Sequence, residues 1–338
     1  MGLIGSVKRR RTSSLRNFFG RPEVTIAIVT TICAAVFGFR FHNFDTPDSA
    51  QVILVVAGTY AMVGAGETML LISGELDLSV GTVFAMTPFL LNSFYGLGIP
   101  IVIAFLMSLL LAGVVGFANG YVCAKLGVPA LIATLGMFFL IRGLTLIISN
   151  FHLISLISLP GIGPFRFLVG SGVILGVLPV PMVWAVGITV VVALMLLKTR
   201  HGLWTIASGS NPTGAGEVGV NIVRTKIYNF VLTAILAGLA GLIQAMRIGS
   251  AEPLAGGFDL TLGSIAASAV GGTSMLGGSG TIVGTLIGSI LFGIFRDGLI
   301  IGGASEQVYE MVLGTAVVLA VALNALLLGR RGRSGKQV

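Results

Sequence analysis

Charged side chains are scarce in this sequence of 338 residues. Asp, Glu, Lys and Arg together make up 9% of it, against about 25% in an ordinary soluble domain. Hydrophobic residues make up 55%, and the mean hydropathy is +1.02. So few charges cannot cover the water-exposed surface of a globular protein of this size. A soluble fold is therefore excluded, and lipid is expected to surround most of the chain.

Cysteine and histidine are also rare. The two cysteines, Cys33 and Cys123, both lie inside apolar runs, which excludes a disulfide framework. The three histidines, His42, His152 and His201, are far apart, so neither residue type has the spacing of a metal site. No GxxxxGK[ST] phosphate-binding loop is present. We expect no metal, no cofactor and no nucleotide chemistry on this chain.

The net charge of +8 is the feature that could point to nucleic acid. Its distribution points elsewhere, because the basic residues collect at the chain ends and in short loops between long apolar stretches. That arrangement is typical of orientation in a membrane. We therefore expect membrane lipid, and no nucleic acid, as a partner.

Long apolar runs dominate what is present. A bilayer core about 30 Å thick needs roughly 20 apolar residues per helix, and about ten such runs can be identified. The expected fold class is an all-α, polytopic membrane protein with about ten transmembrane helices. The weakest runs are the eighth and ninth, because glycines crowd their junction and are also typical of broken or re-entrant segments. The expected spans are 22–40, 51–72, 79–95, 99–125, 129–149, 179–197, 226–248, 259–275, 281–298 and 307–328.

The orientation follows from the positive charges. With the N-terminus inside and ten crossings, fifteen of the twenty Lys and Arg residues fall on the cytoplasmic side. The first apolar run is too long for a signal-peptide core, so we expect it to be retained. The expected organisation is a basic cytoplasmic N-terminus (1–21), a transmembrane domain (22–328) and a cytoplasmic tail (329–338). An external segment, about 150–178, is expected to pack on the outer surface, and a cytoplasmic loop, 198–225, is several times longer than the other inner loops.

Two stretches of the sequence resemble each other. Residues 77–85 read DLSVGTVFA and residues 259–267 read DLTLGSIAA. Five expected spans separate them, and an odd number would turn the two halves upside down relative to one another, as in inverted-repeat transporters. In both copies the Asp stands where a helix begins, so Asp77 and Asp259 are either structural caps for the first-turn amides or caps of half-helices that point into a central cavity.

Longer stretches resemble a known family. They are SGELDLSVGTVFA (73–85), GFANGYVCAKLGVPALIATLGMFFLIRG (116–143), the stretch from Gly209 to Gly256, and VGGTSMLGGSGTIVGTLIGSILFGIFRDGL (270–299). Together they look like the permease subunits of ribose-type ABC sugar importers. The chain departs from the family by adding an acid, Glu75, in its first motif, and by an upstream shift of Asp259 and Leu260 in the later one.

The resemblance implies a multi-pass protein of the bacterial inner membrane that forms an import path with a second permease copy or a paralogue. A periplasmic sugar-binding protein would deliver the solute, and a cytoplasmic ABC ATPase, usually with tandem nucleotide-binding domains, would supply the energy. The loop 198–225 would contact that ATPase. The residues expected to couple to it are Asn211, Gly219, Asn221 and Arg224.

Several residues are candidates for the pathway or for subunit contact. Glu67 lies in mid-span, where an ionised carboxylate facing lipid costs at least about 2.5 kcal/mol, so it faces protein or water. Asn119 could bond a sugar hydroxyl or a neighbouring helix, and Phe84 could stack on a sugar ring or simply pack. The full set is Glu67, Asp77, Ser79, Phe84, Asn119 and Asp259. Three arginines near the outer face, Arg40, Arg166 and Arg247, could dock the binding protein or anchor at the interface.

Two other functions remain open from the sequence. An ion-coupled secondary transporter would need several mid-membrane acids, and Glu67 is the one clearly placed so. An ABC permease for branched-chain amino acids or nucleosides is the nearer alternative, against which the sugar-type LDLSVG stretch argues. We also interpret Arg296 as a helix-end group or as the ion-pair partner of its neighbour Asp297.

Overall fold

The computed structural model describes residues 22–157 and 159–319, and it is almost entirely helical. The predicted N-terminal segment (1–21), the end of the last span and the C-terminal tail (329–338) lie outside the described residues. The helices are α1 Pro22–Arg40, α2 Pro47–Ile72, α3 Val80–Gly96, α4 Ile101–Gly120, α5 Ala130–Ser149, α6 Gly163–Arg166, α7 Val180–Lys198, α8 Arg200–Ser210, α9 Pro212–Glu217, α10 Ile222–Ile248, α11 Gly257–Val270, α12 Ile282–Ile301 and α13 at 306–319.

Short elements connect these helices. A 3-10 turn at His42–Asp45 precedes α2, and π turns at Tyr121–Lys125 and Phe167–Ser171 extend α4 and α6. The strand β1 (Ile154–Ser155) pairs antiparallel with β4 (Ser250–Ala251). The strands β2 (Val173–Ile174) and β3 (Leu178–Pro179) also pair antiparallel. The predicted external segment 150–178 is therefore folded, and it is tied to the end of α10.

Within the described residues each predicted span overlaps a helix, but the lengths differ from the prediction. Seven of the described helices, namely α1, α2, α4 with its π turn, α5, α7, α10 and α12, are long and apolar enough to cross a membrane. The helix α3 has 17 residues, at the lower limit, and α11 has 14, too few to cross alone a core about 30 Å thick. Of the two spans predicted as weakest, the eighth is short, whereas the ninth, α12, is a full 20 residues.

The helix α2 forms the centre of the bundle. Every residue from Ala57 to Ile72 is buried, and α2 contacts α7, α10, α11 and α12. Glycines allow this close approach: a Cβ added at Gly66 would lie 2.6 Å from Thr233 Cα of α10. Small residues at helix contacts are the usual means of packing helices tightly in a membrane.

The two short helices enter the bundle from opposite ends. We name the ends after the predicted orientation, so the outer end holds the start of α2 and the ends of α10 and α12. The helix α11 follows β4 at the outer end and runs alongside α2, with Gly263 near Tyr60 and Ser268 near Gly64. The helix α3 follows the inner end of α2, and its Tyr95 hydroxyl donates to the Pro160 carbonyl in the outer segment at 2.6 Å.

Candidate functional site

The segment that joins α2 to α3 turns back into the protein interior. Asp77 is fully buried there. Its Oδ1 accepts hydrogen bonds from the Ser79 amide at 2.8 Å and the Ser79 hydroxyl at 2.6 Å. Asn119 of α4 donates from Nδ2 to Asp77 Oδ2 at 3.1 Å and to Ser79 Oγ at 2.9 Å. Asp77 thus holds the turn before α3 and accepts from none of the first-turn amides of that helix, contrary to the predicted cap, and Asn119 bonds a neighbouring segment.

Glu67 completes this group, which we call the buried polar cluster: Glu67, Asp77, Ser79 and Asn119. Glu67 is 0% exposed, and its Oε2 accepts a long hydrogen bond, 3.4 Å, from the Asp77 amide. Its Oε1 has no hydrogen-bond partner among the described residues. Neither the Glu67 nor the Asp77 carboxylate forms an ion pair with any described residue. Glu67 therefore faces protein, as predicted, and the cluster is sealed from both lipid and water.

The first turns of α3 and α11 meet directly. The Gly81 amide donates to Thr261 Oγ1 at 3.1 Å, and the Thr261 hydroxyl donates to the Gly257 carbonyl at 2.8 Å. A Cβ on Gly81 would lie 1.9 Å from the Gly257 oxygen, so only glycine permits this approach. The two stretches that resemble each other in sequence are therefore in contact inside the bundle. From this contact α3 runs toward the outer end and α11 runs toward the inner end.

A cavity of about 760 Å³ lies at the outer end, between α2, α10, α11 and α12, and we call it the outer cavity. That volume is within the range of about 300 to 1,000 Å³ of small-molecule sites. Phe84, of which 7% is exposed, borders it together with Tyr60. Its polar and charged lining residues are Asp48, Gln51, Thr59, Tyr60, Ser171, Gln244, Arg247, Asp259 and Arg296.

The predicted pathway residues thus divide into two places. Phe84 and Asp259 border the outer cavity, whereas the other four residues form the buried polar cluster. Asp259 is exposed while Asp77 is fully buried, so the two aspartates of the sequence echo lie in different environments. Gln51 and Gln244 were missed from the sequence. Their signal was available, since an amide inside an apolar run needs a polar surrounding.

The predicted coupling residues lie at the inner end, at the turns of a helical hairpin formed by α8 and α9 and at the start of α10. Asn211 caps α9 by accepting from the Gly214 amide at 3.0 Å, and Asn221 caps α10 by accepting from the Arg224 amide at 2.9 Å. Gly219 adopts a left-handed φ of +87° at the turn between them. All of these residues except Gly214 are exposed, so the hairpin offers a free surface of the kind that a partner could contact.

The three outer arginines are placed differently from one another. Arg166 donates from Nε to the Met246 carbonyl at 2.7 Å and from a terminal nitrogen to the Arg247 carbonyl at 3.4 Å, which satisfies the end of α10. Arg247 borders the outer cavity and bonds Gln244. Arg40 is exposed and lies over the Phe41 ring, so it is the freest of the three.

The interpretation of Arg296 as the partner of Asp297 was wrong. Arg296 forms an ion pair with Glu306 at 2.7 Å and lies over the Tyr309 ring, whereas Asp297 accepts a hydrogen bond from Ser49. Adjacent residues on a helix point about 100° apart, which is why neighbours in sequence seldom pair.

Comparisons with known proteins match this architecture. A family model described as "branched-chain amino acid transport system / permease component" matches residues 49–322. The ribose import permease protein RbsC of Escherichia coli K12 is 36% identical, over 93% of this chain and 97% of its own. The xylose/arabinose import permease protein XylH of Sulfolobus acidocaldarius is 35% identical, over 92% and 87%. The fructose import permease protein FrcC of Rhizobium meliloti is 27% identical, over 90% and 84%.

These matches span the buried polar cluster, the outer cavity and the inner hairpin together. The relatives are transport permease subunits, which agrees with a transport component that performs no catalysis of its own. The chain therefore belongs to this family of membrane permease components, and the resemblance of its motifs to the permeases of ribose-type sugar ABC importers is confirmed.

Proposed function

We propose that the chain is the translocation subunit of an ATP-driven, binding-protein-dependent importer for a monosaccharide or a related polyol, and that it acts as a dimer. The outer cavity is the observation that carries the cargo assignment. Amide groups at Gln51 and Gln244, the Asp259 carboxylate and the Arg247 guanidinium border it beside the aromatic ring of Phe84. Such groups match sugar hydroxyls and the apolar face of a sugar ring.

The partners follow from the two ends of the bundle. The exposed hairpin of α8 and α9 is the surface proposed for the ATPase, with Asn211, Gly219, Asn221 and Arg224 at its turns. The outer end, with Arg40 and Arg247, is proposed for the sugar-binding protein. The proposed topology has both chain termini in the cytoplasm and ten crossings: the seven long spans, α3, α11 together with the segments that flank it, and the last predicted span, 307–328. The contact between the first turns of α3 and α11 supports an inverted repeat.

One observation favours an ion-coupled carrier as a second candidate. Glu67 and Asp77 are two fully buried acids, and buried acids in membrane spans commonly serve proton or cation relays. The packing argues against it, because both oxygens of Asp77 already accept hydrogen bonds, one from Ser79 and the other from Asn119, as in a fixed structural turn.

Uptake into proteoliposomes tests the cargo. The chain, reconstituted with its ATPase and binding-protein partners and with internal ATP, should accumulate at least one labelled sugar among D-ribose, D-xylose and D-fructose. L-leucine should not accumulate above background. Uptake of L-leucine alone would instead assign the chain to the amino acid transporters that the family description names.

A lining variant links that uptake to the cavity. Replacing Gln244 with Leu should raise the KM for sugar, because the amide that borders the cavity is lost. The control is Leu194→Gln on α7, since Leu194 is exposed on the bundle surface away from the cavity. An unchanged KM in Q244L would contradict the role of the cavity while leaving the family assignment intact.

A further inference from the structure

The helix α13, at 306–319, supports one wall of the outer cavity from behind, and none of its described residues lines the cavity itself. The Tyr309 hydroxyl lies 3.1 Å from the Tyr60 hydroxyl, and both side chains are buried. Glu306 forms an ion pair with Arg296 at 2.7 Å, and the Arg296 guanidinium carbon lies 5.7 Å from the centre of the Tyr309 ring. Because Tyr60 and Arg296 both border the cavity, α13 contacts its wall at two places.

The tyrosine pair fixes the position of α13 against α2. A buried hydroxyl without a hydrogen bond is costly, and here each hydroxyl provides the other with a partner. Glu306 precedes Tyr309 by three residues, so the two side chains lie on the same face of the helix. The Glu306 carboxylate is therefore held beside Arg296 by the packing of the whole helix.

The ion pair between Arg296 and Glu306 affects charge more than stability. The two side chains are 36% and 49% exposed, and exposed ion pairs contribute little to folding. Opposite charges 2.7 Å apart nevertheless cancel most of each other's field at longer distances. Arg296 therefore borders the outer cavity as a largely neutralised cation.

The remaining charges of the cavity lining are mostly negative. Asp48 and Asp259 are exposed, and neither forms an ion pair with a described residue. Arg247 hydrogen-bonds a glutamine amide and likewise pairs with no described carboxylate. With Arg296 neutralised, the lining holds two unpaired aspartates and one unpaired arginine. Such a lining repels an anionic solute and accepts an uncharged one.

We propose that the outer cavity selects its cargo by charge, taking uncharged sugars in preference to sugar acids, and that Glu306 sets this preference by neutralising Arg296. Glu306 touches no cargo in this arrangement, so it is a positioning residue that acts through Arg296. Removal of its charge leaves two bases against two acids in the lining, which permits a sugar carboxylate to bind the freed guanidinium. The inference rests on the outer cavity as the cargo site of the proposed function, and it does not depend on the ATPase.

Binding of two matched sugars to the full-length chain in nanodiscs tests this preference. D-glucose and D-glucuronate differ only in that a carboxylate replaces a hydroxymethyl group, and saturation-transfer NMR measures weak dissociation constants for both. The wild-type chain should bind D-glucose roughly fivefold or more tightly than D-glucuronate, because the lining repels the carboxylate. Glu306→Gln should tighten the binding of D-glucuronate by about threefold or more, since it frees the Arg296 guanidinium, and should leave D-glucose binding unchanged.

Further variants separate this role from misfolding and from general surface charge. Addition of Arg296→Gln to Glu306→Gln should abolish the gain, because the freed cation is then absent. Glu306→Asp keeps the charge and should retain the wild-type ratio of the two dissociation constants. The matched control is Glu310→Gln, which removes the same charge from an exposed position one turn further along α13 and leaves the pair of Arg296 and Glu306 intact.

The possible outcomes distinguish the inference from the proposed function. An unchanged ratio in E306Q, an equal gain in E310Q, or a gain that persists in the double variant would overturn the inference and leave the proposed function intact. The wild-type ratio needs no substitution, and binding of D-glucuronate as tight as that of D-glucose would overturn the inference as well. Absence of binding of either sugar to the wild-type chain would instead contradict the outer cavity as the cargo site, and the inference with it.

Discussion

Glu67 shows how a single residue separates the two candidate mechanisms. Its carboxylate is fully buried, one oxygen accepts from the Asp77 amide, and the other has no partner in the described part of the chain. A structural acceptor and an ion-coupling carboxylate have opposite requirements. An acceptor needs an oxygen in this position, whereas a coupling residue needs a group that can gain and lose charge.

We therefore expect Glu67→Gln to retain at least half of wild-type sugar uptake, because the amide oxygen can still accept from Asp77. Glu67→Leu should lower the apparent melting temperature, since it leaves that buried N–H unpaired at a cost of about 1–3 kcal/mol. Uptake assays and thermal denaturation in detergent measure the two effects. Abolished uptake in E67Q with intact folding would contradict the structural role and favour ion coupling.

The role of a residue could be predicted from the sequence only where the chemistry of its own side chain is enough to determine its surroundings. That Glu67 avoids lipid, and faces protein or water, follows from the cost of a carboxylate in lipid. That Asp77 and Asn119 bond each other does not, because it depends on the return of residues 73–79 into the bundle. Arg296 shows the same limit, since its partner Glu306 lies on the next helix.

At the scale of elements, the hydrophobic runs predicted where helices lie but not how far each extends. The length of an apolar run defines a long span well, and the span predicted at 22–40 coincides with α1, Pro22–Arg40. The end of α11 is set instead by Gly271 and Gly272, the latter with a left-handed φ of +100°. The loop that follows is held by contacts with two other helix ends, which no local pattern reveals.

Two helix ends, those of α2 and α8, meet the loop between α11 and α12 at the inner end, with no side chains between the three backbones. The Gly278 amide donates to the Ile72 carbonyl at the end of α2 at 2.8 Å. A Cβ on Gly209, near the end of α8, would lie 1.8 Å from that same carbonyl oxygen and 2.7 Å from the Gly278 nitrogen. This contact joins the exposed hairpin to the segments that lead into α3 and out of α11.

Gly209→Ala should therefore separate the hairpin from the bundle and reduce sugar uptake at least tenfold. The ATPase should still co-purify with the chain, because the exposed surface of the hairpin is unchanged. The matched control is Gly216→Ala on α9, where the nearest atom to the added Cβ is Ile222 Cδ1 at 3.9 Å. Wild-type uptake in G209A would contradict a mechanical role for this contact, and equal losses in both variants would assign the effect to the hairpin itself.

At the scale of the whole molecule, composition and charge distribution predicted a membrane protein, and the motifs predicted its family. The scarcity of charge is enough to predict a membrane protein, because a surface in water needs charged residues and a surface in lipid does not. The class of cargo, a sugar, was predicted from the same resemblance, but the individual sugar could not be derived in this way. The residues that border the outer cavity come from α2, α3, α10, α11, α12 and the outer segment, and only the folded bundle brings them together.

The central claim is that this chain is a passive path that draws its energy from a separate ATPase. The most direct measurement compares two kinds of proteoliposome: the chain with its ATPase, binding protein and internal ATP, and the chain alone with an imposed proton or sodium gradient. We predict concentration of labelled sugar in the first, its loss when the ATPase is inactivated, and none in the second. Gradient-driven accumulation by the chain alone would contradict the account.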